Sequence, residues 1–266
     1  MRITKRYGSH ASIDSSVFIS HNVDLEIGDM TTIAFGVKII GTGRVSFGDY
    51  CKIHPNTIIN VGEGGSVVFG HNCWIGSRVI LDGHNGIAAE NNIGVGIGSQ
   101  LSTHIEFGDT LEGCKFFSGS PMIIENDVWF ASGCFVNPIH AKRKSIALMG
   151  TVITKDMEEN HIYSGSPAKD VTMRYGSPWE TTTPETKMIV LNKRIDEFFS
   201  NNLDYKKGCI ISCIEFPSVA DQNLKTSYFS VKHRTYTKRR TEVERKFLSW
   251  LTSSKGRFTP AVEVTE

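Results

Sequence analysis

Residues 27–45 read Ile27-Gly-Asp-Met-Thr-Thr-Ile33-Ala-Phe-Gly-Val-Lys-Ile39-Ile-Gly-Thr-Gly-Arg-Val45, with an aliphatic side chain at every sixth position. After a shift of two, the step resumes at Phe47, Ile53 and Ile59. It then runs through Phe69, Ile75, Leu81, Ile87, Ile93, a polar Ser99, and Ile105. It returns at Ile124, Phe130 and Val136, and again from Ala147 to Ile153. Glycine directly follows several of these residues, at Gly28, Gly48, Gly70, Gly76 and Gly94. An amphipathic helix needs apolar residues at three- and four-residue steps, which this pattern lacks. Alternating strands of a β-sandwich are the competing reading, but such strands seldom keep phase for so long. The period predicts a triangular prism, in which each hexapeptide makes one short flat strand and a corner, and three make a coil. The apolar residue points inward and the small residue after it permits the sharp corner. Coils then stack about 4.8 Å apart through parallel backbone hydrogen bonds. Each leaves a face uncovered until the next coil lies on it.

The composition agrees with strands and turns. Glycine is abundant at 25 of 266 residues, and apolar residues make up 39%. A net charge of +1 gives no reason to expect nucleic acid or a membrane surface as partner. No apolar run approaches the roughly 18–20 residues that span a bilayer. Met1 to Asp14 lacks the apolar core of a secretion signal, so a cytoplasmic location is expected. The six cysteines are scattered without CxxC spacing, as expected of reduced thiols.

Three segments are more specific: Pro121-Met-Ile-Ile-Glu-Asn-Asp-Val-Trp-Phe-Ala-Ser-Gly133, Gly150-Thr-Val-Ile-Thr-Lys-Asp-Met157 and Gly165-Ser-Pro-Ala-Lys169. In this order they resemble the hexapeptide-repeat acetyltransferases of the galactoside, maltose, Nod-factor and xenobiotic group. The resemblance covers about residues 20–172. It implies a mainly β fold, a left-handed parallel β-helix over residues 1–178; residues 179–266 read, from their own pattern, as a small C-terminal α+β appendage. It also implies a homotrimer that uses acetyl-CoA as co-substrate and needs no metal. Two departures stand out. Trp129-Phe130-Ala131 replaces the family's Trp-Ile-Gly, and Val136 to Ala147 spans eleven residues instead of twelve, so one coil must be irregular.

The family's catalytic histidine precedes a loop that leaves the prism. Here Ser-Thr-His104-Ile-Glu-Phe precedes the polar stretch Gly108 to Ser120, and Pro121 opens the next coil, so His104 is the matching position. An imidazole with an ordinary pKa near 6.5 suits removal of a hydroxyl proton at neutral pH and its return to the leaving thiolate. His10, His21, His54 and His71 are expected to be structural, and Cys114 incidental. The resemblance gives the Ser132 main-chain amide as oxyanion donor. It places coenzyme A against Trp129, Ala131, Gly150, Lys155 and Lys169, with Lys142-Arg143-Lys144 as a further candidate. The acceptor is expected one coil, roughly eighteen residues, before His104, at Asp82, His84 and Asn85. Those residues read equally well as a corner turn rich in Asp, Asn and Gly. Asp82, His84 and His104 also make a metal site conceivable, but no ligand spacing supports zinc, and none is expected.

Beyond Val171 the composition changes. Trp179 to Pro184 reads as a linker, and residues 185–201 place apolar side chains at helical spacing. Cys209 to Phe216 and Tyr228 to Tyr236 read as strands, and Thr241 to Leu251 as a closing helix. This part carries fifteen basic and ten acidic residues from 181 onward. Lys232-His233-Arg234 and Lys238-Arg239-Arg240 read either as an anion-binding cluster or as a solvated strand face.

The reading that results is an acetyl-CoA-dependent O-acetyltransferase acting on a carbohydrate hydroxyl of a polysaccharide or glycoconjugate. N-acetylation of an amino-sugar nucleotide, and a non-catalytic or metal-binding β-helix protein, remain the alternatives.

Overall fold

The computed structural model describes residues 4–261, so the first residues of the stretch Met1 to Asp14 lie outside it. The chain divides into two compact units, Met1–Trp179 and Glu180–Glu266.

The first unit is the expected parallel β-helix, with three sheets forming three faces. The first face runs from Lys5–Tyr7 through Asp24–Ile27 and Arg44–Phe47 to His140–Ala141, in seven strands. The second has nine strands, from Ser12–Ile13 to Ile162–Ser164, closed by Lys169–Asp170. The third has seven, from Phe18–Ile19 to Val152–Ile153. All pairings between coils are parallel; only the last strand of the second face turns back antiparallel.

One coil takes twenty residues, not the eighteen that three hexapeptides give: Leu25 aligns with Val45, Ile33 with Ile53 and Ile39 with Ile59. The first face is the cause. Its strands point two residues inward, as Leu25 with Ile27 and Val45 with Phe47, whereas strands of the other faces point one, apart from Ile58–Val61, which buries both Ile59 and Val61. The shift of two in the sequence is this wider face.

The apparent run from Ile87 to Ile105 is therefore partly a coincidence. The inward strand residues there are Ile87, Ala89, Val95 and Leu101. Ile93 and Ser99 instead occupy a second buried position, at the corner two residues before an inward one. Thr31, Val37, Cys51, Thr57, Cys73 and Val79 share that position. Its hydroxyls are satisfied by corner carbonyls: Thr57 Oγ1 donates to Gly76 O at 2.9 Å and Ser99 Oγ to Ala131 O at 3.1 Å. Ile105 lies outside the core altogether, 44% exposed.

Two corners are fixed in length. From the second inward residue of the first face to the second face, and from there to the third, the step is always six, as in Ile27, Ile33 and Ile39. Both corners close through a residue with positive φ. Met30, Tyr50, Asn72 and Asn92 serve at the first corner, and Gly36, Asn56, Arg78 and Gly98 at the second. The first corner also carries a ladder between coils. The Ser9 amide donates to Asp29, the Asp29 amide to Asp49, the Asp49 amide to His71 Nδ1 and the His71 amide to Asn91, all at 2.7–2.9 Å.

The third corner, between third and first faces, absorbs every irregularity. It gains two residues between Ile59 and Val67, and fifteen between Leu101 and Met122. It loses three between Val136 and Ile139, which explains the short spacing before Ala147.

The second unit packs helices Pro184–Ser200 and Glu242–Ser253 with strands Ile210–Cys213, Ser227–Ser230, Thr235–Tyr236 and Thr259–Pro260, an α+β arrangement. The predicted strand from Tyr228 to Tyr236 is a hairpin in two pieces. Thr241 caps the last helix by accepting from the Glu244 amide. The buried Glu244 carboxylate accepts from the Arg239 and Arg240 amides and the Ser227 hydroxyl. The basic cluster is partly spent within the fold: Lys232 pairs with Glu215, and Arg239 reaches Gln222 and the Thr226 carbonyl. Among the described residues, no helix is long and apolar enough to cross a membrane.

The inward column is the main source of cohesion. Phe47 and Phe69 stack on adjacent coils at 5.4 Å between ring centroids, each 1% exposed. Phe69→Ala leaves a cavity that stiff neighbouring coils cannot close. It should lower unfolding free energy by about 3–5 kcal/mol, measured by denaturant titration.

Candidate active site

His104 stands where the third corner opens into its fifteen-residue insertion. His104–Ile105 pairs antiparallel with Ser118–Gly119, forming the base of a ribbon that leaves the prism. The preceding strand, Gln100–Ser102, lies in register with Ile80–Asp82, aligning Ser102 with Asp82. That register carries His104 alongside His84, twenty residues earlier. Their ring centroids are 4.2 Å apart and inclined at 43°.

Asp82 joins the two rings. One carboxylate oxygen, Oδ1, lies 2.5 Å from His84 Nδ1 and 3.4 Å from His104 Nδ1. The second contact has ion-pair range but no hydrogen-bond geometry, and His104 Nδ1 is a buried atom without a hydrogen-bond partner. With both Nδ1 atoms turned toward the carboxylate, the Nε2 atoms are left for a ligand. The site is open enough to admit one: side-chain exposure is 26% for His104, 35% for His84 and 19% for Asp82.

Asn85 spends a side-chain donor within the fold. Its Nδ2 donates to the Thr103 carbonyl at 2.9 Å, and its main-chain amide donates to Thr103 Oγ1 at 3.0 Å. The Thr103 hydroxyl in turn donates to the Asp82 carbonyl at 2.9 Å. Asn85 and Thr103 thus clamp the base of the ribbon to the coil below and hold Asp82, His84 and His104 in mutual register. Thr103 escaped the sequence reading, as did Gly62. A Cβ at Gly62 would lie 2.4 Å from His84 Cδ2, so the absent side chain makes room for the imidazole. The one available signal was the glycine-rich, two-residue lengthening of the same corner one coil earlier.

The residues assigned to the oxyanion and to coenzyme A form a separate group along the second face and second corner. Trp129 is half exposed and lies over Gly94, where a Cβ would approach Trp129 Cδ1 to 3.0 Å. Ala131 follows it and is buried. Ser132 and Gly150 occupy consecutive second-corner turns, with the Gly150 amide donating to the Ser132 carbonyl at 3.0 Å. The Ser132 amide itself has no acceptor among the described residues. Lys169 pairs with Ser164 beside the same corner, while Lys155 lies at the third corner, beyond Ile153.

Within one chain these two groups do not meet. Gly133 pairs with Ile97, so Ser132 sits level with the start of the strand that ends before His104. The width of the third face separates them, on the order of 15–20 Å at 3.3 Å per residue. The basic run is likewise committed elsewhere. Lys142 pairs with Glu158 and Arg143 with Glu159, each at 2.6 Å, at the first corner. Of the histidines expected to be structural, His71 is a rung of the corner ladder and His54 packs on Trp74 at 4.8 Å. Cys114 closes the insertion on itself, lying where a Cβ on Gly108 would be.

No protein-family model matches the chain, and no curated protein sequence matches it. Solved structures do. A point mutant of AntD, an N-acyltransferase from Bacillus cereus, in complex with dTDP and coenzyme A, is 17% identical. The match covers 66% of this chain and 91% of that one, with a TM-score of 0.48. The polySia-specific acetyltransferase NeuO is 17% identical over 74% of this chain and 91% of its own, with a TM-score of 0.42. A maltose O-acetyltransferase from Clostridium difficile 630 is 17% identical over 62% and 66%, with a TM-score of 0.32. At these identities and scores nothing about the chemistry of this chain follows from the likeness.

The space over Gly62 is a requirement of the site's geometry. Gly62→Ala should push the His84 ring off Asp82 without unfolding the prism. In histidine-labelled protein the His84 ring resonances should move, while those of the surface pair His161–Asp170, 2.6 Å apart, stay in place.

Proposed function

We propose that the chain is an acetyl-CoA-dependent O-acetyltransferase acting on a carbohydrate hydroxyl, with His104 as general base and a homotrimer as the working form. The observation that carries this reading is the placement of His104. Its Nδ1 faces an anionic Asp82 at 3.4 Å, at the mouth of the longest interruption of the prism. A carboxylate on that side favours the tautomer with the proton on Nδ1 and leaves the Nε2 lone pair outward. A sugar hydroxyl is a poor nucleophile, and transfer of its proton to Nε2 as its oxygen attacks the thioester carbon makes it a competent one. The resulting imidazolium lies beside Asp82, which stabilises it. When the tetrahedral intermediate collapses, the carbon–sulfur bond breaks and the same proton passes to the thiolate. The products are the acetyl ester and free coenzyme A. The sugar acceptor rests on the resemblance of residues 121–169 alone.

The trimer is supported by the distribution of apolar side chains. The outer column of the third face carries Phe18, Ile58, Ile80, Phe135 and Val152, interrupted by Lys38 and Gln100. Phe35, Ile97 and Met149 project at the second corner, each exposed. The outer face of the first sheet is more polar, carrying Asp24, Glu26 and Arg44 beside an exposed Ile123. Three prisms that turn their third faces toward a common threefold axis bury the apolar column. Symmetry then sets the second corner of each chain against the third corner of the next. That arrangement unites the Ser132 amide, Trp129, Gly150 and Lys169 of one chain with His104, Asp82 and Lys155 of its neighbour. The cleft so formed has a base, an oxyanion donor, and two lysines without ion-pair partners among the described residues for an anionic cofactor.

Two measurements test this reading. Sedimentation should give a trimer, and Phe135→Asp should shift it toward monomer and lower transfer together. With acetyl-CoA and a panel of sugars, amino-sugar nucleotides and capsular oligosaccharides, mass spectrometry should find acetyl on a hydroxyl. His104→Ala should lower that rate by about 10²–10⁴-fold, yet keep the rise in melting temperature that acetyl-CoA confers. Ser132→Ala should change little, because the donor is a main-chain group. Full transfer by His104→Ala, or acetyl found only on amines, would overturn the assignment.

A further inference from the structure

The shared carboxylate has an implication beyond base catalysis. Asp82, His84 and His104 each offer one ligand atom, and these atoms all lie within 4.8 Å of one another. No short ligand spacing betrays this, because the second imidazole arrives from the next coil by strand register. The contacts are uneven in the metal-free arrangement. Asp82 Oδ1 is hydrogen-bonded to His84 Nδ1, while His104 Nδ1 is buried, 3.4 Å from the same oxygen, and without a hydrogen-bond partner.

We propose that these three side chains bind a divalent transition-metal ion of the zinc class, and that the ion inhibits transfer. Two imidazoles and one carboxylate form a borderline-soft donor set that suits Zn²⁺, Co²⁺ or Ni²⁺ rather than Mg²⁺ or Ca²⁺. In a tetrahedral zinc site with bonds of about 2.0–2.1 Å, ligand atoms lie roughly 3.3 Å apart. His104 Nδ1 and Asp82 Oδ1 already stand at 3.4 Å. The 2.5 Å contact of His84 must open by less than about 1 Å on the same zinc geometry, and the two imidazole ligand atoms stand within 4.8 Å of each other. The partial exposure of all three leaves the fourth position to water. The ion gives the orphaned His104 nitrogen a partner and relieves the competition of two rings for one oxygen.

Inhibition rests on the assignment of His104 as base. An imidazole ligated through Nδ1 keeps its proton on Nε2, so it has no lone pair with which to accept the proton of a hydroxyl. Metal and transfer are therefore mutually exclusive uses of one side chain.

The test is a titration of the intact protein with Co²⁺, whose visible absorption reports a tetrahedral site independently of activity. The expected result is one ion per chain, displaced by Zn²⁺. Affinity should fall about tenfold or more in His84→Ala and in Asp82→Asn, at least what loss of an outer-shell partner costs at metal sites. His161→Ala, which removes a surface histidine–aspartate pair, should leave it unchanged. Absence of the bands, or bands that survive both His84→Ala and Asp82→Asn, would overturn the site. Binding that depends on both residues, with transfer undiminished at saturating Zn²⁺, would uphold the site and overturn His104 as base.

Discussion

In-register stacking of one coil on the next is the constraint on which the rest of the structure depends. Each short strand is bonded to the strands above and below it, so a side chain that points inward must pack against its counterparts one coil away on either side. The column Ile33, Ile53, Ile75, Val95, Phe130 and Ala147 satisfies this along the second face. A slip of one residue would turn every inward side chain outward. Registration therefore fixes the length of any corner whose turn is itself stacked. The first corner is stacked through its aspartate, histidine and asparagine ladder, and the second through its run of positive-φ residues. The third has no such ladder running from coil to coil, and its positive-φ glycines, Gly41, Gly64 and Gly86, do not stand at one fixed step from the third face, so additions and deletions of chain collect there. The candidate site lies at that corner for the same reason: it is where the backbone can leave the prism without breaking a column.

This explains which parts were legible in the residues. Ile27, Ile33 and Ile39 report the two rigid corners directly, and their six-residue step is enough to name the prism. The width of the first face is written only as the shift from Val45 to Phe47, which looks like an interruption until both residues are known to point inward. Ile93 and Ser99 kept the six-residue phase for a different reason, as buried corner residues, so apolar spacing alone could not separate the two kinds of inward position. Within the appendage, the Thr241 cap and the apolar spacing of Met188 to Phe199 gave two helices. The turn that splits the strand from Tyr228 to Tyr236 has no comparable signal.

The site was legible in part. His104 is marked by the insertion that follows it, and Asp82 and His84 by lying one coil earlier. Their relation to each other was hidden, because it depends on a coil of twenty residues and on the empty space over Gly62. Asn85 shows the limit of reading residue types. It is as polar as a ligand-binding residue should be, but its amide is occupied by the Thr103 carbonyl. Lys142 and Arg143 teach the same lesson from the other side: their charges are met by Glu158 and Glu159 of the following coil, which no local inspection of the basic run reveals.

In the mechanism and metal site proposed above, the geometry of one carboxylate oxygen links catalysis to its control. A base needs its non-reacting nitrogen turned toward an acceptor, and Asp82 supplies one to His104 only at 3.4 Å, because His84 holds the same oxygen at 2.5 Å. Were His84 absent, the carboxylate could swing fully to His104 and fix its tautomer more firmly, leaving two ligand atoms and a poor metal site. With His84 present, orientation of the base is looser and a third donor converges. On that proposal the same three residues serve proton transfer without a bound ion and ion capture when a soft divalent cation is available.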